Sequence, residues 1–187
     1  MGMALFVLMA WQTGPQPKSQ GEAFATFYAE YLPKVFRYVS YRVNDQHTAE
    51  DLTSAVFEKA LTKFEGYRAE KASFSTWVFT IARNTVIDYY RTHHRTEELG
   101  IEMAAVLADG DPVPGEAAER AEELRRLKYC LEMLSRAEKE IISLKFGAEL
   151  TNRAIARQIS LSESNIGVIV FRAVRKLKGC FGEWQHE

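Results

Sequence analysis

Cysteine is scarce in this chain: Cys130 and Cys180 are the only two. Two cysteines so far apart, each inside a helical pattern, match no metal-ligand spacing and no disulfide scaffold. They are expected as reduced thiols of a cytoplasmic protein, with Cys130 a small core residue. Apolar runs of membrane length are missing as well. The run near the N-terminus, MALFVLMAW (Met3 to Trp11), holds nine residues, whereas a membrane helix needs about 20. No basic residue precedes it, the first being Lys18, so it lacks the charged start of a secretory signal. The following TGPQPKSQG breaks regular structure, and residues 1–21 read as a flexible N-terminal extension with no membrane insertion.

The groupings that carry enzyme chemistry are missing too. His93 and His94 are adjacent and point in different directions on a helix, which makes a poor metal pair. Glu50 and Asp51 are adjacent and cannot share a face as an acid–base dyad. There is no phosphate-cradling glycine loop, no Cys–His pair and no serine nucleophile elbow. No enzymatic activity, no cofactor and no metal site are expected. Sustained strand alternation is absent, while almost every segment repeats with helical period. The expected fold class is therefore all-α.

What is present divides the chain in two. Hydrophobic residues make up 47% and charged residues 26%, ordinary values for a globular protein, and the net charge is only −1. The distribution is more telling. Residues 1–95 carry 11 basic against 9 acidic residues, residues 96–118 none against 6, and residues 119–187 13 against 10. Two mildly basic helical blocks, 22–95 and 119–187, thus flank an acidic linker, ADGDPVPGE at its centre. In the first block a helix is expected from Glu22 to about Val43, with Pro33 kinking or dividing it. Asn44 and Asp45 make a turn, and Thr48 caps a second helix. A loop spans Phe64 to Ser73, and a long helix follows from Phe74 to about His93. The second block reads as helices from about Glu119 to Leu134 and from a Ser135 cap, with Glu138 three residues on, to Phe146. Gly147 ends that helix. Thr151 then caps a short helix and Ser162 the last one.

The last two helices, TNRAIARQISLSESNIGVIVFRAVRKLK, have the outline of a helix-turn-helix, yet the second is unusually apolar. On a helical wheel Ile166, Val170, Ala173 and Leu177 form one stripe, with Ile169 and Val174 beside it. That stripe is the expected core face. The opposite face carries Ser164, Val168, Phe171 and Arg175, bordered by Gly167, Arg172 and Lys178, and is the expected DNA face. The first block interleaves aromatics with cations from Phe64 to Arg95, a composition suited to stacking bases and pairing phosphates of single-stranded nucleic acid.

Taken together, YLPKVFRYV, AEDLTSAVFEKA and FSTWVFTIARNTVIDYYR in the first block, and LEMLSRAEKEIISLKF with the helix-turn-helix in the second, resemble regions 2 and 4 of a bacterial sigma factor of the extracytoplasmic-function (ECF) group, sigma-70 family. The acidic linker stands where larger sigma factors carry region 3. The resemblance implies two small helical domains and an initiation factor for transcription. It directs core RNA polymerase to promoters through −10 and −35 elements and helps open the DNA. It implies docking on the β′ clamp by Glu50, Asp51, Thr53 and Ser54, where the family usually has a Gln–Glu pair at the positions of Ser54 and Ala55. For the −10 element it implies Lys71, Phe74, Ser75, Trp77, Arg83, Asn84, Asp88 and Arg91. For the −35 element it implies Arg153, Ser162, Glu163, Ser164, Asn165, Gly167, Val168, Phe171, Arg172 and Arg175. The family commonly has Lys, Ser and Arg at the positions of Gly167, Val168 and Ile169, so this chain has a less polar reading face. The β flap and an anti-sigma factor complete the implied partners. An ordinary helix-turn-helix regulator binding operator DNA, and a sigma-like module binding a protein partner through Val168 and Phe171, are the alternatives.

Overall fold

The computed structural model describes residues 20–43, 45–98 and 116–183. The expected N-terminal extension up to residue 19 and linker residues 99–115 lie outside them, as does Asn44. The described residues form helices joined by turns and loops and contain no strand. The helices are α1 (Gln20–Ser40), α2 (Gln46–Lys63), α3 (Phe74–Glu98), α4 (Glu116–Glu132), α5 (Arg136–Ile142), α6 (Asn152–Ile159) and α7 (Glu163–Glu183). A short tight turn, Phe64–Gly66, follows α2, and a widened helical turn, Ser143–Gly147, extends α5.

Local rules account for most boundaries. Helix α1 runs through Pro33 without dividing; Pro33 lies on the exposed side, where water can satisfy the carbonyl that a proline leaves without a donor. Helix α2 starts one turn earlier than expected. Its cap is Asp45, whose carboxylate accepts from the Thr48 amide at 2.6 Å. Ser73 opens α3 by accepting from the Thr76 amide at 3.3 Å. Ser135 and Glu138 form the complete capping box, each side chain accepting from the other's backbone N–H. Thr151 and Ser162 cap α6 and α7 as expected. Helix α6 ends at Ser160, in the left-handed region at φ 58°.

The first three helices and the second set do not stand apart. Val35, Tyr38 and Val39 of α1, Val56 and Ala60 of α2, and Val78, Phe79 and Val86 of α3 share one core with Ile141, Leu144, Ile155 and Ile166. Gly147 allows a close backbone approach: a Cβ there would lie 2.8 Å from Tyr38 Cα. A smaller cluster, Leu131, Leu134, Ile142 and Ala173, joins α4, α5 and α7. The expectation of reduced thiols is corrected beside it. Cys130 and Cys180 are joined by a disulfide, with Cα atoms 5.8 Å apart and 50 residues between them in sequence. Their separation along the chain conceals this pairing, because only the side-by-side packing of α4 on α7 brings the two turns together.

Candidate nucleic-acid and polymerase interface

Three surfaces follow from this packing. The first is the outer face of α7. Ile166 and Ala173 are buried, and Ile169, Val170, Val174 and Leu177 pack partly buried beside the two cores. The opposite face is open. Ser162, Glu163, Ser164, Asn165, Arg172 and Arg175 are exposed, Val168 is 46% exposed and Phe171 70%. Gly167 is half-buried, its Cα side facing the Asn152 amide nitrogen, 3.7 Å from where a Cβ would stand. Arg153 on α6 is exposed. The Ser162 hydroxyl holds the Asn165 amide at 3.2 Å. Polar side chains thus crowd the N-terminal turn of α7, where the helix dipole and free amides favour phosphate.

The second surface surrounds the loop between α2 and α3. Phe27, Phe64, Tyr67, Phe74 and Trp77 pack ring against ring, with Phe27 stacked on Phe74 at 4.1 Å and Tyr67 tilted against Trp77 at 5.0 Å. The Tyr67 hydroxyl donates to the Ala72 carbonyl at 3.0 Å, pinning the loop. Phe74, expected to contact DNA, is only 4% exposed and forms the floor of this cluster. Tyr67 and Trp77 are half-exposed above it, and Lys71 is exposed at the rim. Ser75 is half-buried and hydrogen-bonds Tyr31, whose phenol is pushed up to about 12, chiefly by burial and then by Glu30. Further along α3, Asn84 is exposed, and Asp88 and Arg91 are exposed and paired with each other at 3.1 Å. Arg83, half-buried, turns instead toward α5, where its Nε lies 3.3 Å from Glu140 Oε1.

The third surface is the outer face of α2. Glu50, Asp51 and Ser54 are exposed along it, and Leu61 extends it at 56% exposure. Thr53 does not belong to it. It is 4% exposed and donates to the Ala49 carbonyl at 2.7 Å, so it faces the core. Helical period explains both displaced residues: Thr53 follows Ala49 and precedes Val56 and Ala60 on the inner stripe of α2, and Phe74 faces the same interior as Val78 and Ile81.

One functional polar group, Glu140, is marked by no local motif. Glu140 on α5 is 12% exposed and accepts from Arg42 Nη1 and, at 3.3 Å, from the Tyr38 hydroxyl, besides its contact with Arg83. A charged residue between Lys139 and the buried Ile141 and Ile142 was the available signal.

Comparison with known proteins agrees with the layout. The sigma-70 region 2 family matches residues 27–96, and the sigma-70 region 4 family matches residues 124–177. The ECF RNA polymerase sigma factor BldN of Streptomyces coelicolor is 29% identical over 158 residues, which are 84% of this chain and 60% of BldN. SigM of Bacillus subtilis, also an ECF RNA polymerase sigma factor, is 27% identical over 154 residues, 82% of this chain and 92% of SigM. Among solved structures, the sigma factor RpoE in complex with the anti-sigma factor NepR from Bartonella quintana superposes with a TM-score of 0.66 at 21% identity, covering 86% of this chain and 98% of that one. CnrH, solved with the cytosolic domain of CnrY, gives 0.65 at 17% identity, covering 89% and 91%. The structural likeness is one of fold; the two matched regions, in order on one chain, carry the assignment. This chain belongs to the ECF group of the sigma-70 family.

Proposed function

We propose that the chain is a dissociable initiation factor that binds core RNA polymerase, recognises −10 and −35 promoter elements and helps open the duplex. The polymerase performs the chemistry, so the chain itself is not an enzyme, and its place of action is the cytoplasm. The observation that carries this reading is the coexistence of both regions with an exposed outer face on α7 and an aromatic cluster open at Tyr67 and Trp77.

The roles follow from chemistry. Glu50, Asp51 and Ser54 on α2 offer an acidic and hydroxyl face to the β′ clamp. An unpaired base drawn from the −10 element loses a few kcal/mol of stacking, which an aromatic-lined site offsets. Tyr67 and Trp77 supply that site, Phe74 supports it from below, and Lys71, Asn84 and Arg91 attract the strand. In the major groove of the −35 element, Ser162 to Asn165 meet phosphate and base edges. Arg172 and Arg175 pair with the backbone, and Val168 and Phe171 meet thymine methyls. One of the matched solved structures is a sigma factor in complex with an anti-sigma factor, and we infer that this chain too has an anti-sigma factor.

Run-off transcription with purified chain and core polymerase on a genomic promoter library tests the reading. Promoter-specific transcripts that depend on the chain are expected. Operator binding that needs no polymerase, or core binding without transcripts, would overturn it.

A further inference from the structure

Arg42, which follows α1, is 2% exposed, and a guanidinium so deep needs an anion beside it. Glu140 provides one from the other half of the chain, 98 residues away in sequence. Without α5, the site left on the α1–α3 side would consist of Arg42, Arg83 and the Tyr38 hydroxyl. These are donors, two of them cationic, and the Arg42 Nε is buried without a hydrogen-bond partner even with Glu140 in place. Two guanidiniums against one carboxylate leave the site with one surplus positive charge. The neighbouring charges do not cancel it. Lys34 and Arg37 are engaged by Glu149, Lys139 by Glu132, and Arg136 lies over the Tyr90 ring. Forked donors around a vacated carboxylate position are the arrangement that binds a phosphate oxygen pair.

We propose that Arg42, Arg83 and Tyr38 form a phosphodiester-binding socket for the promoter strand, and that Glu140 plugs it when the two halves of the chain are closed on each other. The inference rests on the reading of α3 as the −10 reader, since Arg83 is carried by that helix. It adds Arg42 and Tyr38 to the nucleic-acid surface. It also makes closure and strand binding mutually exclusive, because one carboxylate and one phosphate compete for the same donors.

The test uses the full chain without polymerase, a fluorescein-labelled single-stranded oligonucleotide and small-angle scattering. Glu140→Gln is expected to increase the radius of gyration and to raise oligonucleotide affinity about tenfold. The salt dependence of binding should steepen by about 0.7 in slope, the signature of one further phosphate contact on a single strand. Arg42→Met in the Glu140→Gln background should abolish the gain. Should Glu140→Gln fail to fold, Glu149→Lys opens the same seam by repelling Lys34 and Arg37 while leaving the socket intact, and the same gain is expected. The proposal is overturned if the chain opens with no gain in affinity, if the gain survives loss of Arg42, or if neither variant opens the chain. Run-off transcription by the wild-type chain keeps the two readings separate. Transcripts without an affinity gain sink the socket alone, whereas an affinity gain without transcripts leaves a phosphodiester socket but sinks the initiation-factor reading and, with it, the promoter strand as the ligand.

Discussion

Gly147 and Tyr38 meet backbone to backbone: a Cβ on Gly147 would stand 2.8 Å from Tyr38 Cα and 3.0 Å from its amide nitrogen. This contact joins the turn after α5 to α1, and neither side can yield by rotating a side chain. Gly147→Ala is therefore expected to destabilise the closed chain by about 1–3 kcal/mol, the usual cost of overpacking. A lowered Tm together with an enlarged radius of gyration would be the signature. An unchanged Tm would mean that the backbones separate at no cost.

Glu149 guards the same seam from the solvent side, with Lys34 Nζ and Arg37 Nη1 each 3.2 Å from its carboxylate. The Lys34 hydrogen bond above all holds its carboxyl below the ordinary 4.5. Glu138, beside Lys176, is lowered likewise, first by its hydrogen bond to Lys176. A carboxyl depressed in the folded state contributes stability that is present at neutral pH and lost as pH falls through the folded value. Thermal melts from pH 7 to pH 3 should therefore show falling stability below about pH 4.5. Glu149→Gln should flatten that fall, and added salt should do the same because the pair is exposed.

The Cys130–Cys180 disulfide closes a loop with a sequence separation of 50. Replacing both with serine is expected to lower stability by about 2–4 kcal/mol in urea titration. Alkylation followed by mass spectrometry should label neither cysteine until a reductant is added. Labelling of the untreated chain would exclude the bond.

The Ser135–Glu138 capping box starts α5, the helix that carries Glu140. Ser135→Ala should cost about 1 kcal/mol, and Ser135→Asp should restore most of it. Urea midpoints at constant m-value would record the change.

On α7, Phe171 is 70% exposed, so Phe171→Ser should leave folding stability within about 0.5 kcal/mol of the parent. It should nonetheless weaken binding to a −35 duplex in the presence of core polymerase, most at thymine positions. A Val168→Lys change that improved promoter selectivity would contradict the methyl-reading role.

Much of this molecule was legible residue by residue. The two faces of α7, the caps at Ser135, Thr151 and Ser162, and the helix α3 follow from patterns that close within one or two turns. Residues three or four apart on a helix share a face whatever the rest of the chain does. Even so, the local pattern offers Thr48 as the cap of α2, whereas Asp45 caps it, since both are capping types and the choice lies within a single turn. The family pattern places Thr53 and Phe74 on binding surfaces; their positions on the inner helical stripes put them in the core.

The sequence by itself determined the all-α character, the helix ends to within a few residues, and the regions 2 and 4 that place the chain in its family. Only the tertiary structure decided that Cys130 meets Cys180, that Gly147 lies on Tyr38, and that Glu140 reaches Arg42. Hydrogen bonds and side-chain period within a helix are set by neighbours along the chain. Contacts between residues 50 or 98 positions apart depend on how whole helices pack as rigid bodies, which no local pattern encodes.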